Sequence, residues 1–212
     1  MFKTTSLLFV FFFFVSCGKS GSGNNPTQSG NAVALEEIQS SGVPQAALNF
    51  EVNIKLDNFD ATQEDKILIA ADLIKKVIAT EEFKLKILNH RVNGKKTFID
   101  NGGLSNAEIY KKILEGSEKL KPAADNEMDL DLEVFRRNDD TVGYTYPNVI
   151  KVLMNEKFLN RHAPYKVTTN MMHEWLHKLG FKHAQKKTAT RKYSVPYAVG
   201  YLVAKLAKKQ AI

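Results

Sequence analysis

Cysteine is nearly missing from this chain: Cys17 is the single one in 212 residues. No internal disulfide can staple the fold, and no thiolate-rich metal site can form. A chain of this length needs no staple, because one domain of its size buries most of its apolar surface. Aromatic residues make up 10% and are not interleaved with the basic ones, so the stacking platform that single-stranded nucleic acid requires is absent. Charged residues at 25% and hydrophobic ones at 43% exclude both a disordered chain and a polytopic membrane protein. The formal charge of +7 is spread over many lysines, with small clusters at Lys186-Lys187, Arg191-Lys192 and Lys208-Lys209. These read as solvated surface, and no nucleic-acid partner is expected. Histidine is scarce too, at five residues.

What is present begins at the amino terminus. Met1, Phe2 and Lys3 precede the apolar run SLLFVFFFFVS, which ends at Cys17. The run is shorter than the roughly 20 residues that a permanent membrane helix needs, and reads as a signal peptide. Its end resembles the lipobox of bacterial lipoproteins: Val15 and Ser16 fit, while Phe14 stands where leucine is usual. The resemblance implies that Cys17 is lipidated and becomes the first residue after cleavage of residues 1–16. It places the chain in a bacterial cell envelope, held to the membrane by its lipid. Gly18 is not the aspartate that commonly retains lipoproteins at the inner membrane, which favours the outer one.

Residues 17–47 are rich in Gly, Ser, Asn, Gln and Pro and read as a flexible tether, spanning on the order of 30 Å. From residue 48 the pattern becomes regular. Phe50, Val52, Ile54 and Leu56 alternate as a strand. Asp60 caps a helix whose stripe is Ile67, Ala70, Ala71, Ile74, Val77 and Ile78. Phe83, Leu85 and Ile87 alternate and predict a second strand. Ser105 with Glu108 predicts the start of a further helix. Strands are expected over 128–135, 142–146 and 149–154, with Asn138, Asp139 and Asp140 as a hairpin turn between the first two. Two helices close the chain, one starting near Thr168 or Thr169 and ending at Gly180, the other over 195–209 with Pro196 in its first turn.

Three of the five histidines fall within residues 173–183, HEWLHKLGFKH. On a helix His173 and His177 project from one face a single turn apart, so that both imidazoles can grip one ion. Glu174 is angled toward the same ion and suits the work of holding and deprotonating water. Gly180 ends the helix in a left-handed conformation, and the turn can carry His183 back as a third ligand. Three neutral nitrogens and one open position are the donor set of a catalytic zinc site. Met172, Trp175, Leu176 and Leu179 recur at helical spacing and read as core. His90 and His162 read as surface or hydrogen-bonding groups, and Asp139 and Asp140 as turn formers.

The motif resembles the H-E-x-x-H-x-x-G-x-x-H signature of the metzincin zinc metallopeptidases. The resemblance implies an α+β domain over residues 48–212: a twisted, mixed sheet of about five strands, backing helices, an active-site helix and a C-terminal helix. It implies one Zn2+ held by His173, His177 and His183, with Glu174 as general base, and a rim strand, here residues 142–146, that pairs with extended substrate. In the family a methionine turn lies beneath the metal; here Pro196, in the stretch Tyr193-Ser-Val-Pro-Tyr197, stands in that place. Tyr197, and less so Tyr193, are candidates for polarising a substrate carbonyl or adding a ligand. No cysteine switch is expected. The expected function is that of a monomeric zinc-dependent endopeptidase acting on extended polypeptide, with activity falling as pH drops through about 6, where free imidazoles protonate. The alternative is a non-catalytic metzincin scaffold serving as a binding module or adhesin.

Overall fold

The computed structural model describes residues 43–146 and 148–211; the signal peptide, Cys17 and most of the tether lie outside the described residues. Among these, the chain forms a mixed α/β structure with one four-stranded sheet, a two-stranded ribbon and seven α-helices. In chain order they are α1 (Gln45–Leu48), β1 (Glu51–Asp57), α2 (Ala61–Ile78), α3 (Glu81–Leu88), β2 (Arg91–Val92), β3 (Lys95–Lys96), α4 (Asn106–Glu115), β4 (Glu127–Phe135), β5 (Gly143–Thr145), β6 (Lys151–Asn155), α5 (Glu156–Arg161), α6 (Pro164–Lys178) and α7 (Val195–Gln210). A single 3-10 turn, Arg191–Tyr193, precedes α7.

The main sheet runs β1-β4-β6-β5. β1, β4 and β6 are mutually parallel, and β5 closes the edge antiparallel to β6. Period-two alternation gives the sheet two unlike faces. Met128, Leu130, Leu132, Val152 and Met154 are buried against the helices, with Val52, Ile54 and Leu56 packed beside them. The other face is polar. Here Asn53, Lys55 and Asp57 stand in register with Asp129, Asp131 and Glu133, and lysines interleave the carboxylates: Lys55 lies 3.2 Å from Asp131, while Lys151 lies 2.7 Å from both Asp57 and Glu133.

The helix at the centre of the core is α6, in which Val167, Met171, Met172, Trp175 and Leu176 are fully buried. Burial of side chains of this size is worth roughly 1.5–3 kcal/mol each. Polar ties fix where α6 stops. Trp175 donates its indole N–H to Glu118 (2.5 Å), and the same Glu118 oxygen accepts from the Asp129 backbone N–H (3.1 Å), on an edge of β4 where β6 has not yet begun to pair. The Lys178 ammonium donates to the carbonyls of Val149 and Lys151 at the start of β6. α7 lies close against α6 through Gly200, where a Cβ would stand only 2.9 Å from the Thr169 carbonyl oxygen.

Several sequence expectations hold. The capping boxes Asp60–Gln63 and Ser105–Glu108 both form, and the α2 stripe is buried as read. Others are corrected. Phe83, Leu85 and Ile87 lie on a helix, α3, capped by Thr80: Phe83 and Ile87 are four apart and buried, whereas Leu85 is 43% exposed. Alternation over so short a run does not separate a strand from one helical face. The main sheet therefore has four strands, not five, and the other strand pair among the described residues is the β2–β3 ribbon. Residues 138–140 are not a hairpin turn, because β4 and β5 both pair with β6 and not with each other. α6 starts four residues before Thr168, with Pro164 in its first turn and no side-chain cap.

Candidate metal centre

Three imidazoles converge where the chain turns back after α6. The Nε2 atom of His173 lies 3.2 Å from that of His177 and 3.1 Å from that of His183. Nitrogens bound tetrahedrally at about 2.0–2.1 Å would be spaced by about 3.3 Å. Ring centroids of the three pairs are 4.8–5.0 Å apart, and the three form a group able to hold a metal ion.

Local structure accounts for the convergence. His173 and His177 share one face of α6, as four-residue spacing requires. Leu179 still has helical backbone, and Gly180 then takes φ +98, a value that an L side chain rarely adopts. The reversal brings Phe181 N–H onto the Leu176 carbonyl (3.0 Å) and directs His183 back toward the helix. Each ring is also held from behind. His177 Nδ1 pairs with the Phe181 carbonyl (2.8 Å), His183 Nδ1 with the Ala184 carbonyl (3.0 Å), and His173 donates to the Pro196 backbone carbonyl. A carbonyl at one ring nitrogen fixes the proton there and leaves the other as a lone pair for a metal. Pro196 thus supports His173 through its backbone. The turn that carries it is anchored by Ile99 N–H to the Tyr193 carbonyl (2.9 Å) and by the Ser194 hydroxyl to the Arg191 carbonyl (2.8 Å).

Burial pushes the His173 ring down to about 3, helped by the neighbouring imidazoles, and burial also lowers His177 and His183. All three are therefore neutral to lower pH than a free imidazole.

Glu174 is 5% exposed, and burial raises its carboxyl to about 7. Three groups oppose that rise: the Lys178 ammonium, the Asn170 amide, whose Nδ2 donates to Oε1 (3.4 Å), and the backbone N–H of Thr145. Asn170 is itself buried one turn earlier on α6, and Gly143 in β5 makes room for it: a Cβ there would meet the Asn170 amide oxygen at 2.7 Å. A carboxyl poised near 7 beside a metal site suits proton abstraction at neutral pH.

The three histidines and Glu174 line a cleft of about 570 Å³ that also includes Val142 to Thr145, Phe158, His162, Lys166, Arg191, Tyr197 and Tyr201. β5, the edge strand expected to form a rim, stands on it. Tyr197 lies at the centre, its ring 4.4 Å from that of His173 and 4.8 Å from that of His183, with the Arg191 guanidinium over it at 4.8 Å. Tyr193 does not line the cleft. His162 belongs to it and is a hydrogen-bonding group, one of the two roles the sequence allows: it stacks on Phe158 (4.4 Å) and pairs through Nδ1 with the Phe158 carbonyl. His90 is half-buried and stacked on Phe98 (4.0 Å), away from the cleft. Sequence reasoning missed Asn170, Arg191 and Tyr201. Asn170 carried a usable signal, being four residues before Glu174 on one helical face; the other two depend on how α7 and its preceding turn pack.

Comparison of the chain with models of protein families, with curated proteins and with solved structures finds no match in any of the three.

Proposed function

We propose that the protein is a zinc-dependent endopeptidase of the metzincin type, acting on extended polypeptide from a lipid anchor at Cys17 on a bacterial envelope. The observation that carries this reading is the convergence of three imidazole nitrogens beside a buried carboxyl in an open cleft. An all-nitrogen donor set of this size suits zinc best among the common divalent ions. When bound, zinc would supply Lewis-acid polarisation of a carbonyl and a water of lowered pKa.

The residues of the chain then have distinct work. Glu174, as the carboxylate, accepts a proton from water at the metal face of the cleft and returns it to the leaving amine. Asn170 and the Thr145 N–H hold that carboxylate in place. β5 offers the backbone groups of an edge strand to an extended substrate, the geometry of strand addition. The Tyr197 hydroxyl, on a ring packed against two of the ligand rings, is the group best placed to donate to a carbonyl oxygen turning into an oxyanion.

Purified protein lacking residues 1–17 is expected to hold about one zinc and to cut unfolded polypeptide. Glu174→Ala should keep the metal and lose cleavage. A variant that cuts as fast as the parent would remove Glu174 from the mechanism, and a metal-free parent that still cuts would remove the mechanism altogether. The rival, a metzincin scaffold kept for binding, is favoured by full metal occupancy with no cleavage of any peptide.

A further inference from the structure

Charge is divided unevenly along the chain, and the division coincides with the cleft. Residues 157–212 contain 12 Lys and Arg but one carboxylate, Glu174, whereas residues 1–156 contain 18 Lys and Arg against 22 Asp and Glu. The segment returning from His183 to α7 is the extreme case: Lys186, Lys187, Arg191 and Lys192 occur with no acid among them. On the polar sheet face the lysines are neutralised at 2.7–3.2 Å by carboxylates. Among the described residues no such ion pair is found for Lys166 or Arg191, the two cationic side chains that line the cleft besides its histidines.

The backbone of Arg191 is held in place. Its backbone N–H donates to the Thr188 hydroxyl (3.1 Å) and its carbonyl accepts from the Ser194 hydroxyl (2.8 Å). Its guanidinium lies over Tyr197, the ring that touches His173 and His183, and its Nε is buried without a partner. Coulomb repulsion disfavours a fixed guanidinium beside a site for a divalent cation. An incoming anion reverses that sign, and guanidinium is the side chain whose planar fork fits a carboxylate. Lys166 lines the same cleft and adds to the same potential, and the only acid in the lining apart from Glu174 is Asp140.

We propose that the cleft selects polypeptide bearing aspartate or glutamate side chains close to the bond presented to the metal, with Arg191 as the residue that reads the carboxylate. This rests on the peptidase reading for the position of that bond, but the recognition step can be measured without catalysis. Zinc-loaded Glu174→Gln protein is titrated with labelled peptides that differ only by Asp or Glu against Asn or Gln. Acidic peptides are expected to bind about tenfold more tightly at low salt, and the advantage should shrink as ionic strength rises. Arg191→Gln should abolish the preference and Arg191→Lys retain part of it. Lys166→Gln, at an exposed position that tolerates change, should reduce it about two- to threefold. Lys121→Gln, outside the cleft, should leave it unchanged.

Equal binding of acidic and neutral peptides overturns the proposal, as does a preference that survives Arg191→Gln. Oligonucleotides or anionic lipid vesicles that bind as tightly as the acidic peptides, with the same dependence on Arg191, overturn it by showing a general anion surface. The two readings separate cleanly. Wild-type protein that cuts acidic and neutral peptides alike keeps the hydrolytic reading and loses this one; a binding preference without cleavage of any peptide does the reverse.

Discussion

Among the described residues, two groups of side chains bring three metal-capable donors together, and they differ in everything else. His173, His177 and His183 have their donor atoms turned inward to a common point, with each ring held from behind by a backbone carbonyl. The donor atoms of Asp125, Glu127 and Asp129 also lie within 4.8 Å of one another, but all three spend oxygens on other partners, Asp125 accepting from the Glu127 backbone N–H at 3.1 Å. Asp129 meets the Lys121 ammonium at 2.9 Å, and Asn53 donates to Glu127 at 2.6 Å. The first group has desolvated nitrogens with no competing cation between them. The second is a partly exposed patch whose acids are already engaged, Asp129 by the Lys121 ammonium and Glu127 by the Asn53 amide, and pairs of that kind contribute little to stability or binding. Proximity of donors does not make a site; donors with nothing else to bind do.

The largest expected effect is on metal affinity. His173→Ala or His177→Ala should weaken zinc binding by well over the 10–100-fold typical of losing a supporting group behind a ligand, whereas replacing Asp125, Glu127 and Asp129 together by Asn should leave a stoichiometry near one. Competition against a chromophoric chelator measures both. If the acidic triple variant loses the metal, the contrast between the two groups is wrong.

Next comes the rate. Glu174→Gln should lower kcat by about 10²–10⁴-fold, the range for removal of a general base, with zinc content unchanged in the same preparation.

A third test uses the buried carboxyl in metal-free protein. The Glu174 pKa is raised by folding from 4.5 to about 7, so the stability it contributes is fully present below about 4.5 and is lost as pH rises through about 7. Because His173, His177 and His183, whose pKa values folding lowers, gain stability over part of the same range, the Glu174 contribution is read as the difference between parent and Glu174→Gln apo protein in denaturant titrations, which should grow to on the order of 2–4 kcal/mol in the variant's favour at pH 8. Adding zinc should remove most of the pH dependence, because a nearby cation favours the carboxylate.

The smallest effect is the most local. The Asn170 hydrogen bond lowers the Glu174 pKa, so Asn170→Ala should raise it and move the acid limb of the pH–rate profile upward by a fraction of a unit. A limb that moves down would mean that Asn170 does not support the ionised form.

Much of the site was readable in the residues themselves. Helical spacing puts His173 and His177 together without reference to the rest of the fold, and Gly180 announces a reversal, which its positive φ supplies. Burial was not readable. Nothing in the sequence around Glu174 says that its carboxyl is covered, because part of the cover comes from β5, a segment 29–31 residues upstream that is paired with β6. The misread α3 shows the same limit on a smaller scale: Phe83 and Ile87 fit a strand or a helix equally well until the core selects the face that carries both.

What the chain determines alone is the donor set, its helical spacing and the glycine that lets the backbone turn, since these depend on bonded geometry over at most eleven residues. What only the tertiary structure decides is the environment of those donors: the Pro196 backbone behind His173, the desolvation that keeps the rings neutral and lifts Glu174, and the guanidinium laid over Tyr197. Each of those comes from a turn or strand brought in by long-range packing. Electrostatics and burial are properties of what surrounds a group, and no local run of residues contains its own surroundings.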